Sequence, residues 1–221
     1  MASSDDPLVI RTQKLDRQTH FLWLPGRRKR LAAASYDVGY DCRRDGNVAL
    51  AETNFRRVQT LLPNVRPSRF KRSMETCSLI AASHNHLGML CLDTGRPAEA
   101  RPSFDRAIAI RKELLRLFPK ERENKIYLGG ALCNRAHSVA DSDAAEARDF
   151  YQQSLALLRQ PDKPCECAYW DEERQSWWCA QMEAMANAIG MPWVFLAPQF
   201  IDNAMRGLDS LTPPATGNPA S

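Results

Sequence analysis

Glycine is scarce, at 10 of 221 residues, and nowhere does it form the phosphate-cradling loop of a P-loop or the Gly-x-Gly-x-x-Gly turn of a dinucleotide site. A serine nucleophile elbow, a His-Glu-x-x-His zinc motif and the loop motifs of protein kinases are absent too, so the expectation is a chain that is no enzyme and needs no cofactor. Long apolar runs are also missing. The best, Ala188 to Pro198, is broken by Gly190 and Pro192 and falls well short of the roughly 20 residues that span a bilayer. The first residues set Asp5 and Asp6 before any base, the reverse of a secretory leader, which leads to the expectation of a cytoplasmic protein.

A disulfide framework is equally unsupported. Seven cysteines (Cys42, Cys77, Cys91, Cys133, Cys165, Cys167 and Cys179) are an odd number scattered through helical patterns, which suits reduced, mostly buried thiols. Cys165-x-Cys167 with Cys179 could be read as three thiolate ligands, but structural zinc favours wider Cys pairs and no histidine lies nearby. His84 and His86, two apart, diverge on a helix and cannot chelate together, which makes them surface or groove residues. No metal is expected.

What the chain has is an ordinary globular composition, 44% hydrophobic and 25% charged. Its net charge of +4 is unevenly placed: residues 1–73 carry 15 Lys and Arg against 7 Asp and Glu, and residues 74–221 carry 15 against 19. The tight cluster Arg27-Arg28-Lys29-Arg30 could meet nucleic acid or another acidic partner, but such a run is usually a solvated segment.

The informative signal is internal repetition. Shifting the sequence by 49 residues lays Val38-Gly39, Gly46, Ala51, Phe55 and Val58 on Leu87-Gly88, Gly95, Ala100, Phe104 and Ala107. Small residues opposite one large aromatic are what two closely packed helices need, and Gly46 and Gly95 supply the turn between them. A third copy places Ala136, Ala147, Tyr151 and Ser154 at the same stations after a turn shortened by one residue at Asp141-Ser142-Asp143, where an Asp would cap the next helix. A fourth and weaker copy runs through Ala184-Met185, Ala197, Ile201 and Ala204, with Pro198 in the first turn of its second helix.

Leu87-Gly88, then Ala100-x3-Phe104 and Ala107, resembles the tetratricopeptide repeat, and the stretch from Leu87 to Pro119 looks like the long repeats of the kinesin-light-chain type. In bacteria such repeats occur in signalling proteins and beside serine/threonine kinases. The resemblance implies an all-α solenoid of three to four degenerate helical hairpins; hairpins of another all-α fold are the alternative. Expected helices cover about 31–44 and 48–62, 74–93 and 97–118, 122–140 and 144–159, then 170–189 and 198–210, bounded by prolines and glycines. Residues 1–30 read as a basic flexible leader with at most a short helix around Thr12 to Leu22, residues 31–211 as the repeat domain, and residues 212–221 as a disordered tail. Trp170, Trp177, Trp178 and Trp193 gather where the array must end, as a cap over its core or as an exposed aromatic patch.

In the tetratricopeptide family the first helices line a groove that holds a peptide or helix of a partner protein. Carried onto this chain, the groove stations are Tyr36, Tyr40 and Arg43, then Asn85, Met89 and Leu92, then Cys133, His137 and Ala140. No repeat shows the Lys and Asn pair of the family's carboxylate clamp, so chaperone-tail recognition is not implied. The resemblance points to a protein-binding scaffold with a protein or peptide partner and no membrane; a nucleic-acid or acidic-partner binder acting through the basic N-terminal arm is the alternative.

Overall fold

Two turns, 49 residues apart, are built from the same hydrogen bonds. In the first, Gly46 (φ 76°) donates to Arg43 O and Asn47 to Cys42 O; in the second, Gly95 (φ 70°) donates to Leu92 O and Arg96 to Cys91 O. Both reversals need one left-handed residue, which glycine supplies without strain. On either side lie long helices. The computed structural model describes residues 6–18, 26–63, 65–158 and 196–211, and among them are eight helices. These are α1 (Pro7–Gln18), α2 (Arg27–Arg44), α3 (Val48–Leu61), α4 (Lys71–Asp93), α5 (Pro97–Leu117), α6 (Arg122–His137), α7 (Ala144–Leu158) and α8 (Leu196–Ser210). The architecture is all-α, and sequential helices pair as the hairpins α2/α3, α4/α5 and α6/α7. That is the tetratricopeptide-like design expected from the repeat.

The hairpins close because their small residues admit a large one. A Cβ on Gly88 would stand 2.5 Å from the Phe104 ring, and one on Gly39 would stand 3.0 Å from the Phe55 ring. Phe55, Phe104, Ala51, Ala100 and Val58 are completely buried. Burying such an aromatic side chain stabilises the fold by about 2–3 kcal/mol, and at this separation no residue larger than glycine fits beneath it.

The chain divides into two compact units, Met1–Lys120 and Glu121–Ser221, where the repeat predicts one domain over 31–211. The first unit holds α1 to α5. Its core runs through Leu31, Val38, Phe55, Leu61, Ile80, Leu87, Leu90, Ile110 and Leu114. Helix α1 corrects the expectation of a flexible leader. Leu15 and Thr12 are buried, Asn54 on α3 donates to Thr12 Oγ1 at 3.0 Å, Arg11 pairs with Asp41 at 2.7 Å, and Asp16 pairs with Arg57. Asn54 is itself fully buried, so Thr12 meets a hydrogen-bonding need that water cannot. The cluster Arg27 to Arg30 is likewise the first turn of α2 and no part of a loose arm.

The second unit holds α6, α7 and α8. Its core gathers Cys133, Ala136, Val139, Ala147, Tyr151 and Ala204. The α6/α7 turn dispenses with glycine: Ser142 and Asp143 both donate to Val139 O, and Asp143 Oδ1 accepts from Glu146 N at 2.9 Å, capping α7. This is the cap role expected of the acidic turn. Helix α8 begins at Leu196 and carries Pro198 in its first turn, where no intrahelical donor is lost. The helix expected at 170–189, the four late tryptophans, Cys165, Cys167, Cys179 and the tail from 212 lie outside the described residues.

Candidate functional site

On the α2 and α4 face of the first unit, Tyr36 and Tyr40 of α2 and Phe55 of α3 meet around His86 of α4. The Phe55 ring lies flat against His86, with centroids 5.1 Å apart and planes at 8°, while Tyr36 and Tyr40 set their edges to it at 5.6 and 5.7 Å. Tyr36 Oη and His86 Nε2 are 3.1 Å apart. Tyr36 is half-buried, but Tyr40 remains 49% exposed, an aromatic held in place at one edge and open at the other.

The electrostatics of the cluster follow from burial. Desolvation, with the Arg43 guanidinium adding to it, pushes the His86 pKa down to about 4. Charging the ring would need a proton on both nitrogens, and Nδ1 is buried with no hydrogen-bond partner among the described residues, so the ring is neutral at physiological pH. His84 points the other way and meets Gln59 on α3 at 3.0 Å. Burial, then Arg106, holds it near 4 as well. The two histidines therefore diverge, as their spacing requires.

Arg43 closes the far end of the face with an ion pair to Asp93 at 2.9 Å. Asn85 Nδ2 lies 3.5 Å from Met89 Sδ one turn on, and Met89 and Leu92 pack partly buried over Cys91, Ala100 and Phe104. The structure thus brings Tyr36, Tyr40, Arg43, Asn85, Met89 and Leu92 onto adjacent helices of one unit. His86, which joins Tyr36, Tyr40 and Phe55, is marked by its sequence position only as a surface or groove residue. Its partners are 50 residues away in Tyr36 and 31 in Phe55, and no periodicity of α4 marks that convergence.

The stations in the second unit behave differently. Cys133 is fully buried, and desolvation pushes its thiol up to about 12, so it packs the core of α6 and corrects the groove placement. His137 Nδ1 lies 2.8 Å from Cys133 O, 3.1 Å from Tyr151 Oη and 3.9 Å from Cys133 Sγ. A thiol beside an imidazole suggests a nucleophile and base, but here the thiolate is disfavoured and the ring nitrogen is engaged by a carbonyl. Ala140 is half-buried beside the same core. Among the described residues no group of three His, Cys, Asp or Glu could hold a metal, and no helix is long and apolar enough to cross a membrane.

No family model matches the chain, and no curated protein matches it. Among solved structures it is similar to BtubC (BKLC) from P. vanneervenii, at 16% identity over 98% of each chain with a TM-score of 0.29. So loose a superposition bears no weight for function, and the fold rests on the hairpins themselves.

Proposed function

We propose that the chain is a non-catalytic protein-interaction scaffold that holds a peptide or helix of a partner protein along the α2 and α4 face of the first unit. The supporting observation is Tyr40: a large aromatic, half exposed, braced by the neutral His86 ring and flanked by Tyr36 and Arg43. Aromatic and Arg side chains on rigid helices are the usual anchors of protein interfaces, because little conformational entropy is lost when they are covered. Asn85 and Met89 extend the face by one polar and one adaptable apolar group.

The test is selection of a displayed random-peptide library on the immobilised chain, followed by titration of selected peptides. Tyr40→Ala and Arg43→Ala should each weaken them by about 1–2 kcal/mol, with circular dichroism unchanged. Peptides that bind both variants as tightly as the parent would sink the reading.

A further inference from the structure

A second surface lies at the opposite end of the same two helices from Arg43 and Asp93. The chain carries no acid between Arg17 and Tyr36, and none from Thr53 to Met74, while bases accumulate in both stretches. Folding brings the two together. Lys29 on α2 pairs with Glu75 on α4 at 2.7 Å, and the Arg72 guanidinium lies 3.6 Å from where a Cβ on Gly26 would stand. The segment before α4 is tied down: Ser73 Oγ donates to Arg66 O at 2.9 Å and accepts from Ser68 N at 3.0 Å. Lys29, Lys71 and Arg72 together hold the Glu75 carboxyl below the usual carboxylate range, Lys29 most strongly through its hydrogen bond.

The first turns of α2 and α4 and the segment before α4 carry Arg28, Arg30, Arg66, Arg69, Lys71 and Arg72, all exposed, and Phe70, which is 77% exposed. Neither α2 nor α4 has an acid in its first turn, so the positive ends of both helix dipoles add to the field. Arg69-Phe70-Lys71-Arg72 sets an exposed aromatic among three bases.

From this convergence of two basic segments around a protruding phenylalanine, we propose that the face binds single-stranded nucleic acid, with the arginines on its phosphates and a base stacked on Phe70. Five of the six cations are arginines, whose planar fork matches phosphate oxygens two at a time. An unpaired base offers Phe70 a flat partner, which a duplex keeps inside its stack. A lone phenylalanine adds little area for insertion into a bilayer, and carboxylates of an acidic peptide give a protruding ring nothing to stack on.

The experiment is fluorescence anisotropy of the full chain with a labelled oligouridine of about twenty nucleotides. Binding should weaken about tenfold between about 50 and 150 mM salt, as about three phosphate contacts require. Arg69→Gln with Arg72→Gln should weaken it at least about tenfold and flatten that salt dependence. Phe70→Ala should cost roughly five- to tenfold with the salt dependence unchanged. The charge-matched pair Arg106→Gln with Lys112→Gln, exposed on α5, should bind like the parent. Absence of binding at the lower salt, or equal loss in both charge pairs, overturns the proposal. So does displacement of the oligouridine by equimolar polyglutamate or by phosphatidylserine vesicles, because the face would then read charge alone.

Discussion

The hairpin α4/α5 and the hairpin α6/α7 occupy corresponding stretches of the repeat and solve the same packing problem with different residues. In α4/α5 a glycine lies beneath the aromatic, Gly88 under Phe104, and a second glycine makes the turn. In α6/α7 the aromatic is Tyr151, fully buried, with its hydroxyl turned toward His137 Nδ1, and the glycine packed on its ring is Gly207 of α8. The turn is made by Val139 O and an Asp143 cap. A repeat therefore conserves volume and spacing, and leaves open which neighbouring helix supplies the space.

The sharpest way to break this comparison is to empty the aromatic station. Phe104→Ala should lose about 3–5 kcal/mol in chemical denaturation, because the pocket against Gly88 is closed on all sides. A loss below about 1 kcal/mol would show that the ring does not carry the hairpin. Removing residues 1–18 should cost the first unit about 2–4 kcal/mol, since it takes Leu15 out of the core and leaves Asn54 without Thr12. An unchanged melting temperature in that truncation would return α1 to the status of an appendage.

Acid should separate the units next. His84 and His86 bind their protons near pH 4 when folded and near 6.5 when unfolded, so between those values the unfolded chain holds more protons. Stability from this source is complete above pH 6.5 and is lost as pH falls toward 4, by about 3 kcal/mol per histidine. Histidine ring resonances followed by NMR should show both midpoints well below 6; ordinary midpoints would mean that the rings are not enclosed. Gly88→Ala should cost about 1–2 kcal/mol net, overpacking outweighing the gain in helix propensity. Stabilisation by that substitution would mean that Phe104 moves freely. The smallest difference concerns the turns: Gly95→Ala and Asp143→Ala should each cost about 1 kcal/mol in thermal unfolding, the first through left-handed strain and the second through a lost cap. If only one of them matters, the two turns are not equivalent solutions.

The hairpins from α2 to α7 were readable because their determinants are local. Apolar spacing, paired glycines and prolines at the ends place the expected 48–62 and 97–118 within a residue of Val48–Leu61 and Pro97–Leu117. Helix α1 was not readable as a packed element: only Thr12 and Leu15 are buried, too few to show a periodic stripe, and its anchor Asn54 lies 42 residues on. Of the site, Tyr36, Tyr40 and Arg43 were legible as positions on a first helix, whereas Cys133, chosen by the same rule, faces the core.

Residue order alone determined the helices, the turns and the small-against-large pairing, since each depends on neighbours within a few turns of chain. Tertiary structure decided the rest: the ring contacts of His86, the docking of α1 and the approach of the first turn of α2 to the first turn of α4. Those depend on how parallel helices some 46 to 50 residues apart are set side by side, as the Lys29–Glu75 and Arg43–Asp93 pairs show. Side-chain packing sets that crossing, and a one-dimensional spacing does not encode it.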